Sequence, residues 1–353
     1  MSDSSHALPD AMKGVALVGH GGPETLEFRN DLPVPQAATG EVVIRVHAAG
    51  VNNTDINTRI GWYSKKDGSA DDASWSGTAL SLPRIQGADV CGTIVAVGEG
   101  VDAARIGERV LIEPCLYEAA GKPLDPPWYF GSECDGGFAE FTKVAARHAH
   151  AINSSLSDAE LASFPCSYST SENMLMRSGV RAGERVLVTG ASGGVGSATV
   201  QLAKARGATV IAVSSESKRA QMEALGADQV LDRSTNLVEA LGNNSVDVVI
   251  DLVAGEGWPD YLELLKPRGR YAVAGAIGGP MVTLDVRTLY LKDLTLFGCT
   301  TLEPEVFPSL IGHIEQGRIK PLVAATYPLT AIHEAQEAFQ QKRHVGKLVL
   351  TLD

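Results

Sequence analysis

Near the middle of the chain a short apolar run, Val186–Thr189, meets the turn Gly190-Ala191-Ser192-Gly193-Gly194-Val195-Gly196, which opens into a helical pattern over Ser197–Ala205. Few architectures accommodate that order. Gly193 and Gly194 let backbone amides approach a ligand, Gly196 permits close packing of helix on strand, and the helix N-terminus carries partial positive charge. The turn therefore has the form of a pyrophosphate cradle. Alone, such a turn is equally a tight strand–helix connection with no ligand. Context favours the cradle, because more short apolar runs follow at Thr209–Val213, Gln229–Leu231, Val246–Leu252, Arg270–Ala274 and Leu294–Phe297, with helix-like segments between most of them. Strand–helix alternation of this kind predicts a Rossmann-type, doubly wound parallel sheet with right-handed crossovers.

The end of the second strand discriminates between dinucleotides. A carboxylate there would bind ribose hydroxyls, but this chain has Ser214 and Ser215, followed by Lys218 and Arg219. A 2′-phosphate would meet hydroxyl donors and cations there, so NADP(H) is the expected cofactor. Glu216 opposes that reading, and Lys218 and Arg219 are also what any exposed helix would carry.

The chain before this sheet differs in character. From Val15 to about Val144, β-rich runs such as Glu41–Val46, Thr93–Val97 and Arg109–Ile112 are separated by Gly, Pro and Asp turns, as in a partly barrel-like domain. Ser157 and Glu160 form a capping box that opens the helical region. The expected domains are residues 12–157 and 158–300, with 301–353 returning to the first. That tail carries helix-like segments at Val306–Gln316 and Ala331–Gln341 and a last strand at Lys347–Leu350. Residues 1–11 read as a loose leader.

With 353 residues the chain can bury a large core without staples. Its 30 Lys+Arg against 42 Asp+Glu give a net charge of −12, which disfavours nucleic acid and anionic membranes as partners. No run of ~18 apolar residues appears. Five dispersed cysteines without a CxxC fit reduced thiols, so a cytoplasmic location is expected.

Three segments carry a resemblance: Gly50-Val-Asn52-Asn53-Thr-Asp55 running to Arg59-Ile-Gly61-Trp-Tyr63; Gly87-Ala-Asp89-Val-Cys-Gly92 running to Val97-Gly98-Glu-Gly100-Val101; and Asp135-Gly-Gly-Phe-Ala-Glu140. Together with the Ala191-x-Gly193-x-x-Gly196 turn, they resemble the medium-chain dehydrogenase/reductase superfamily from Met12 to Leu350, most of all its zinc-independent quinone oxidoreductase branch. The resemblance implies a GroES-like catalytic domain beside the Rossmann domain, with the active site in the cleft between them. It also implies Thr170 near the nicotinamide, Val253, Gly275 and Ala276 lining its pocket, and a homodimer formed through the sheet edge at Thr295–Cys299. Where zinc-dependent relatives place metal ligands, this chain is similar only at Cys166; Asn52 and Ala88 stand at the other two positions. One soft ligand does not make a three-ligand zinc site, so no metal is expected and Cys166 reads as a small buried or cleft-lining thiol. The stretch Glu113–Asp135, where relatives hold a second zinc with four cysteines, has only Cys115 and Cys134. Its Pro123, Pro126, Pro127 and Trp128 suggest a rigid loop.

Without a Lewis acid, hydride delivery is easiest to a conjugated acceptor, whose charge spreads over an enolate or phenolate that neutral donors can stabilise. Asn52 and Tyr63 are the candidate donors, and Tyr63 can also return the proton. The alternative role for Asn52 is to satisfy local backbone groups, and for Tyr63 to pack a loop. Asp55 and Arg59 are expected to brace the Asn52 loop as an ion pair. The polar segment Ser64–Ala79, with Trp75 in it, is either a lid or a surface insertion, and its acidic stretch Asp67–Asp72 disfavours a strongly anionic acyl-CoA. The leading expectation is thus an NADPH-dependent reductase of quinones or enones. The alternatives are a zinc alcohol dehydrogenase with altered ligands and a non-catalytic NADP(H)-binding protein.

Overall fold

A computed structural model describes residues 8–65 and 72–352, arranged in two units. The first comprises Met1–Cys166, Val323–Arg343 and Lys347–Asp353; the second comprises Ser167–Leu322 and His344–Gly346.

The first unit is built around the strand Glu41–Val51. Every residue of this strand is buried except Arg45, which is exposed, and His47, which is half-buried. Asp89–Val97 and Lys347–Thr351 pair antiparallel with it on either side, Phe141–Ala145 joins it at its N-terminal half, and Val323–Pro328 lies parallel to Lys347–Thr351 at the edge. The returning tail thus places Lys347 beside the chain that carries Asn52. Val42, Ile44, Val90, Ile94, Phe138 and Leu350 are among the residues forming this unit's core. A separate antiparallel pair, Cys115–Ala119 with Lys122–Tyr129, stands where the proline-rich stretch reads as a rigid loop, so that loop is in fact a hairpin. Each of its pairing strands keeps enough backbone donors despite the prolines, which sit at exposed or half-buried positions.

The second unit is a six-stranded parallel sheet in the order Gln229–Asp232, Thr209–Ser214, Arg185–Val188, Val246–Asp251, Leu265–Val273, Thr295–Gly298. Counted along the chain this is 3-2-1-4-5-6, the dinucleotide-binding order, which reverses direction beside Arg185–Val188. The helix Gly194–Ala205 starts at the end of the turn that follows that first strand, three residues earlier than the apolar pattern suggests, because glycine cannot signal helix by hydrophobic period.

The unit boundaries differ from those expected at 157/158 and 300/301. The helix Asp158–Leu161 stays with the first unit, because Asp158 accepts from Arg109 Nε at 2.8 Å and lies 3.2 Å from His47 Nδ1. Residues 301–322 stay with the second. Asn173 Nδ2 donates to the Thr301 carbonyl at 3.0 Å, Ser309 Oγ to Glu172 at 2.9 Å, and Tyr168 OH to the Lys320 carbonyl at 2.8 Å. Polar ties between segments far apart in sequence leave no periodic trace.

Candidate active site

In the first unit the site grows from Gly50. A Cβ there would stand 2.5 Å from Asp89 Oδ2 and 2.8 Å from the Ala162 carbonyl, so only glycine leaves room for the Asp89 carboxylate. Asp89 is fully buried. Its Oδ2 is 2.7 Å from Lys347 Nζ and accepts from Asn52 Nδ2 at 2.9 Å, while its Oδ1 accepts the Cys166 backbone N–H at 2.5 Å. The Lys347 ammonium also donates to Asn52 Oδ1. A buried ion pair survives only when its remaining donors and acceptors are satisfied, and this one is.

The arrangement corrects two expectations. Asn52 does not offer its amide outward: one N–H goes to Asp89 and the other to the Gly50 carbonyl at 3.3 Å. Its amide bridges Lys347 and Asp89. Asp55 and Arg59 do not pair. The Asp55 carboxylate accepts the Asn52 backbone N–H at 2.7 Å, capping the helix Asn53–Ile60, whereas Arg59 donates to Gln336 Oε1 at 3.0 Å and to the Gly21 carbonyl at 2.7 Å. One helical turn separates the two, but the side chains leave the helix toward different partners. Burial pushes the Asp55 carboxyl up to about 7, against the pull of the Asn52 N–H and of Lys347.

Tyr63 is half-buried and donates to Thr54 Oγ1 at 3.2 Å; burial raises its phenol. The Cys115–Tyr129 hairpin brings a second phenol that sequence reasoning missed. Tyr129 OH lies 3.0 Å from Cys166 Sγ, and its ring stacks on Trp75 with centroids 5.1 Å apart. Burial, reinforced by Cys166, holds the Tyr129 phenol well above its ordinary range, and burial next to Asp89 pushes the Cys166 thiol up to about 12. Ala88, Tyr129 and Cys166 form one buried cluster, with Trp75 against it. Part of the segment Ser64–Ala79, including most of Asp67–Asp72, lies outside the described residues.

These donors do not fit a tetrahedral zinc ion. Ala88 brings no donor atom, Asn52 is committed to Asp89 and Lys347, and both Asp89 oxygens are engaged. Among the described residues no three His, Cys, Asp or Glu side chains converge as metal ligands.

In the second unit the cradle is formed by backbone. A Cβ on Gly196 would fall 2.3 Å from the Gly190 carbonyl and 2.6 Å from Ala191 Cα, and Gly193 caps the helix. Ala191 N–H donates to the Val213 carbonyl, which orders the turn, and Ser192, Gly194 and Val195 complete it. The buried Asp251 carboxylate accepts from Thr189 Oγ1, Tyr271 OH and the Val253 and Ala254 amides, fixing the loop after its strand. Gly278 N–H reaches back to the Val253 carbonyl at 2.7 Å, so the loops carrying Val253, Gly275 and Ala276 are bound to one another. Thr170 sits half-buried on the helix Pro165–Arg177. These residues fit a bound dinucleotide.

At the end of the second strand the predicted cations part company. Lys218 Nζ turns to Ser192 Oγ at 3.4 Å and to the His344 carbonyl at 2.9 Å, beside the cradle. Arg219 instead forms a two-pronged ion pair with Glu216, with both contacts at 2.7 Å, and donates to the Val230 carbonyl; the i,i+3 spacing makes this the local choice. Ser214 and Ser215 hold their strand-end positions. Arg233, overlooked in the sequence, is close enough for its charge to bear on Lys218 and extends from the adjacent strand end.

A parallel 3-2-1-4-5-6 sheet with a glycine cradle, joined to a β-rich unit that places phenols and a buried ion pair together, defines a two-domain dinucleotide-dependent oxidoreductase. Residues 38–154 match the alcohol dehydrogenase GroES-like domain family and residues 194–316 the zinc-binding dehydrogenase family. The chain is 32% identical to the quinone oxidoreductase of Rattus norvegicus over 356 residues, covering 97% of this chain and 98% of that one. It is also 32% identical to the acryloyl-coenzyme A reductase of Metallosphaera sedula over 351 residues, with 96% and 100% covered. A crystal structure from Sinorhizobium meliloti 1021, provisionally classed as an alcohol dehydrogenase, matches with a TM-score of 0.90 at 48% identity, covering 99% and 98%. The chain belongs to the medium-chain dehydrogenase/reductase superfamily and is quinone oxidoreductase-like.

Proposed function

We propose that this protein is an NADPH-dependent reductase that transfers hydride to a quinone or an α,β-unsaturated carbonyl compound without a catalytic zinc ion. The observation that carries the reading is the donor set around Asp89: neutral phenols and a thiol, with an internally neutralised ion pair, in place of metal ligands. Bound NADPH would supply the hydride. The chain's part is to stabilise a delocalised enolate or phenolate, which hydrogen-bond donors can do, whereas a localised alkoxide needs stronger help. Tyr63 stays protonated through the neutral range and is suited to donate to that oxygen and return its proton. The names of the two curated relatives point the same way, since a quinone and an acryloyl thioester are both conjugated acceptors.

NADPH is favoured over NADH by Ser214, Ser215, Lys218 and Arg233 at the strand ends, with Glu216 neutralised by Arg219. The oligomer we propose is a homodimer through the edge strand Thr295–Gly298, which has a strand on one side only. Within that strand or in the five residues before it, Tyr290, Leu291 and Leu296 are exposed.

The test is NADPH oxidation by chelator-treated protein across a panel of quinones and enones. Turnover with several of them is expected. Tight NADPH binding with no turnover, or activity that returns only with added zinc, would overturn the reading. In the same assay Lys218→Ala with Arg233→Ala should raise KM for NADPH at least about tenfold and leave NADH unchanged, the loss of two phosphate contacts.

A further inference from the structure

The strands Arg185–Val188 and Val246–Asp251 flank the point where the parallel sheet reverses direction, and side chains join them there. Thr189 Oγ1 donates to Asp251 Oδ1 at 2.5 Å and accepts the Leu252 N–H at 2.9 Å. From the next strand Tyr271 OH donates to Asp251 Oδ2 at 2.6 Å; burial and the neighbouring carboxylate raise this phenol, so it remains the donor. Trp258 packs edge-on against the Tyr271 ring, with centroids 5.7 Å apart. Thr189, Asp251 and Tyr271 are all buried. One carboxylate thus ties three neighbouring strands together near their C-terminal ends.

Beyond that carboxylate the chain runs as two loops bonded to each other. Ala274 N–H donates to the Asp251 carbonyl at 3.2 Å, Gly278 N–H to the Val253 carbonyl at 2.7 Å and Gly255 N–H to the Gly279 carbonyl at 3.1 Å. The approach is close: a Cβ on Gly275 would stand 2.9 Å from the Leu252 carbonyl oxygen, and one on Gly255 2.6 Å from that of Gly278. Ala254 holds φ at +53°, a left-handed conformation unfavourable to a residue with a Cβ, and its N–H is shared between the two Asp251 oxygens at 3.2 Å each. The carboxylate therefore sustains a loop shape that the loop's own residues do not favour.

A doubly wound sheet divides a dinucleotide between its halves: the end of Thr209–Ser214 meets the adenosine ribose, and the half that starts with Val246–Asp251 takes the other nucleotide. We propose that the Thr189–Asp251–Tyr271 network positions the nicotinamide ring by setting the shape of the platform formed by residues 252–255 and 274–279, and so governs affinity for the ring without governing affinity for the adenosine half. All three are positioning residues, acting through that platform. Removing one donor leaves a buried oxygen short of a partner, so the carboxylate re-seats and the amides bonded to it move. Tyr271 lies two strands away from the one that leads into the cradle, so its loss is felt at the platform first.

This inference rests on dinucleotide binding by the proposed reductase and is indifferent to the acceptor. Calorimetric titration of wild type and Tyr271→Phe compares NADPH with 2′-phospho-ADP-ribose, the same molecule without its nicotinamide; NADH and ADP-ribose form a second pair. Tyr271→Phe keeps the ring against Trp258 and deletes one hydrogen bond to the carboxylate. NADPH affinity is expected to fall about tenfold, the worth of one hydrogen bond to a charged group, while affinity for 2′-phospho-ADP-ribose stays within about twofold. A general loosening of the unit would weaken both ligands in proportion, and that result, or no change in either, overturns the inference. A wild type that prefers NADH overturns the cofactor choice alone, because the NADH and ADP-ribose pair then decides the inference by the same comparison. A wild type that binds neither dinucleotide overturns both readings. If Tyr271→Phe does not fold, Thr189→Val is compared with Thr189→Ser, which keeps the hydroxyl. Only the valine variant should lose affinity for the ring, and equal affinities in the two would overturn the inference.

Discussion

Lys347 holds a positive charge where almost no water reaches it, 2% exposed and paired with an Asp89 side chain that is 0% exposed. Such a pair adds little net stability over an apolar pair, but removing one partner strands the other. Lys347→Met should therefore cost about 3–5 kcal/mol in urea unfolding. The double variant Lys347→Met with Asp89→Leu should recover much of that loss. Asp55 makes the opposite kind of statement. Its carboxyl titrates near 7 when folded and near 3.8 when free, so between those values the folded state holds the extra proton. Its contribution to stability is complete below about pH 4, declines as pH rises, and is gone above about pH 7, an effect of up to about 4 kcal/mol. Asp55→Asn keeps an acceptor for the Asn52 N–H and removes the titration. Relative to wild type, the variant should gain stability between pH 4.5 and pH 8, and an unchanged difference across that range would contradict the burial argument.

Among the elements, the helix Gly194–Ala205 depends most on one residue. Gly196→Ala would set a methyl 2.3 Å from a carbonyl of the preceding turn, where only backbone could give way. The expected cost is about 1–3 kcal/mol in thermal unfolding, with affinity for the nicotinamide dinucleotide lowered at least about tenfold because the cradle must open to relieve the contact. The capping box of the helix Asp158–Leu161 was legible beforehand. Ser157 and Glu160 each bond the other's backbone as their spacing suggests, since four consecutive residues contain the whole motif. The hairpin at Cys115–Tyr129 was not, because its prolines argue for a loop and its Tyr129 meets Cys166, 37 residues away.

At the scale of the whole molecule, the exposed apolar side chains beside the edge strand Thr295–Gly298 argue for a second copy, as open edges invite pairing. Leu291→Glu with Leu296→Lys should halve the mass measured by light scattering without altering the fold, and a wild type already monomeric at working concentration would remove the proposal. The strand–helix alternation, the glycine cradle and the β-rich first half were readable from residues alone. Apolar period and turn chemistry act over a few positions and survive in any context. The meeting of Asn52 with Lys347, 295 positions later, and of Asp89 with the Cys166 backbone, 77 later, was not readable. Nor was the separation of Arg219 from Lys218. A buried charge or hydroxyl takes its role from whichever partner folding brings within hydrogen-bonding reach. That choice is made by the return of the last strand and the placing of the hairpin, so it exists only once the chain has closed on itself.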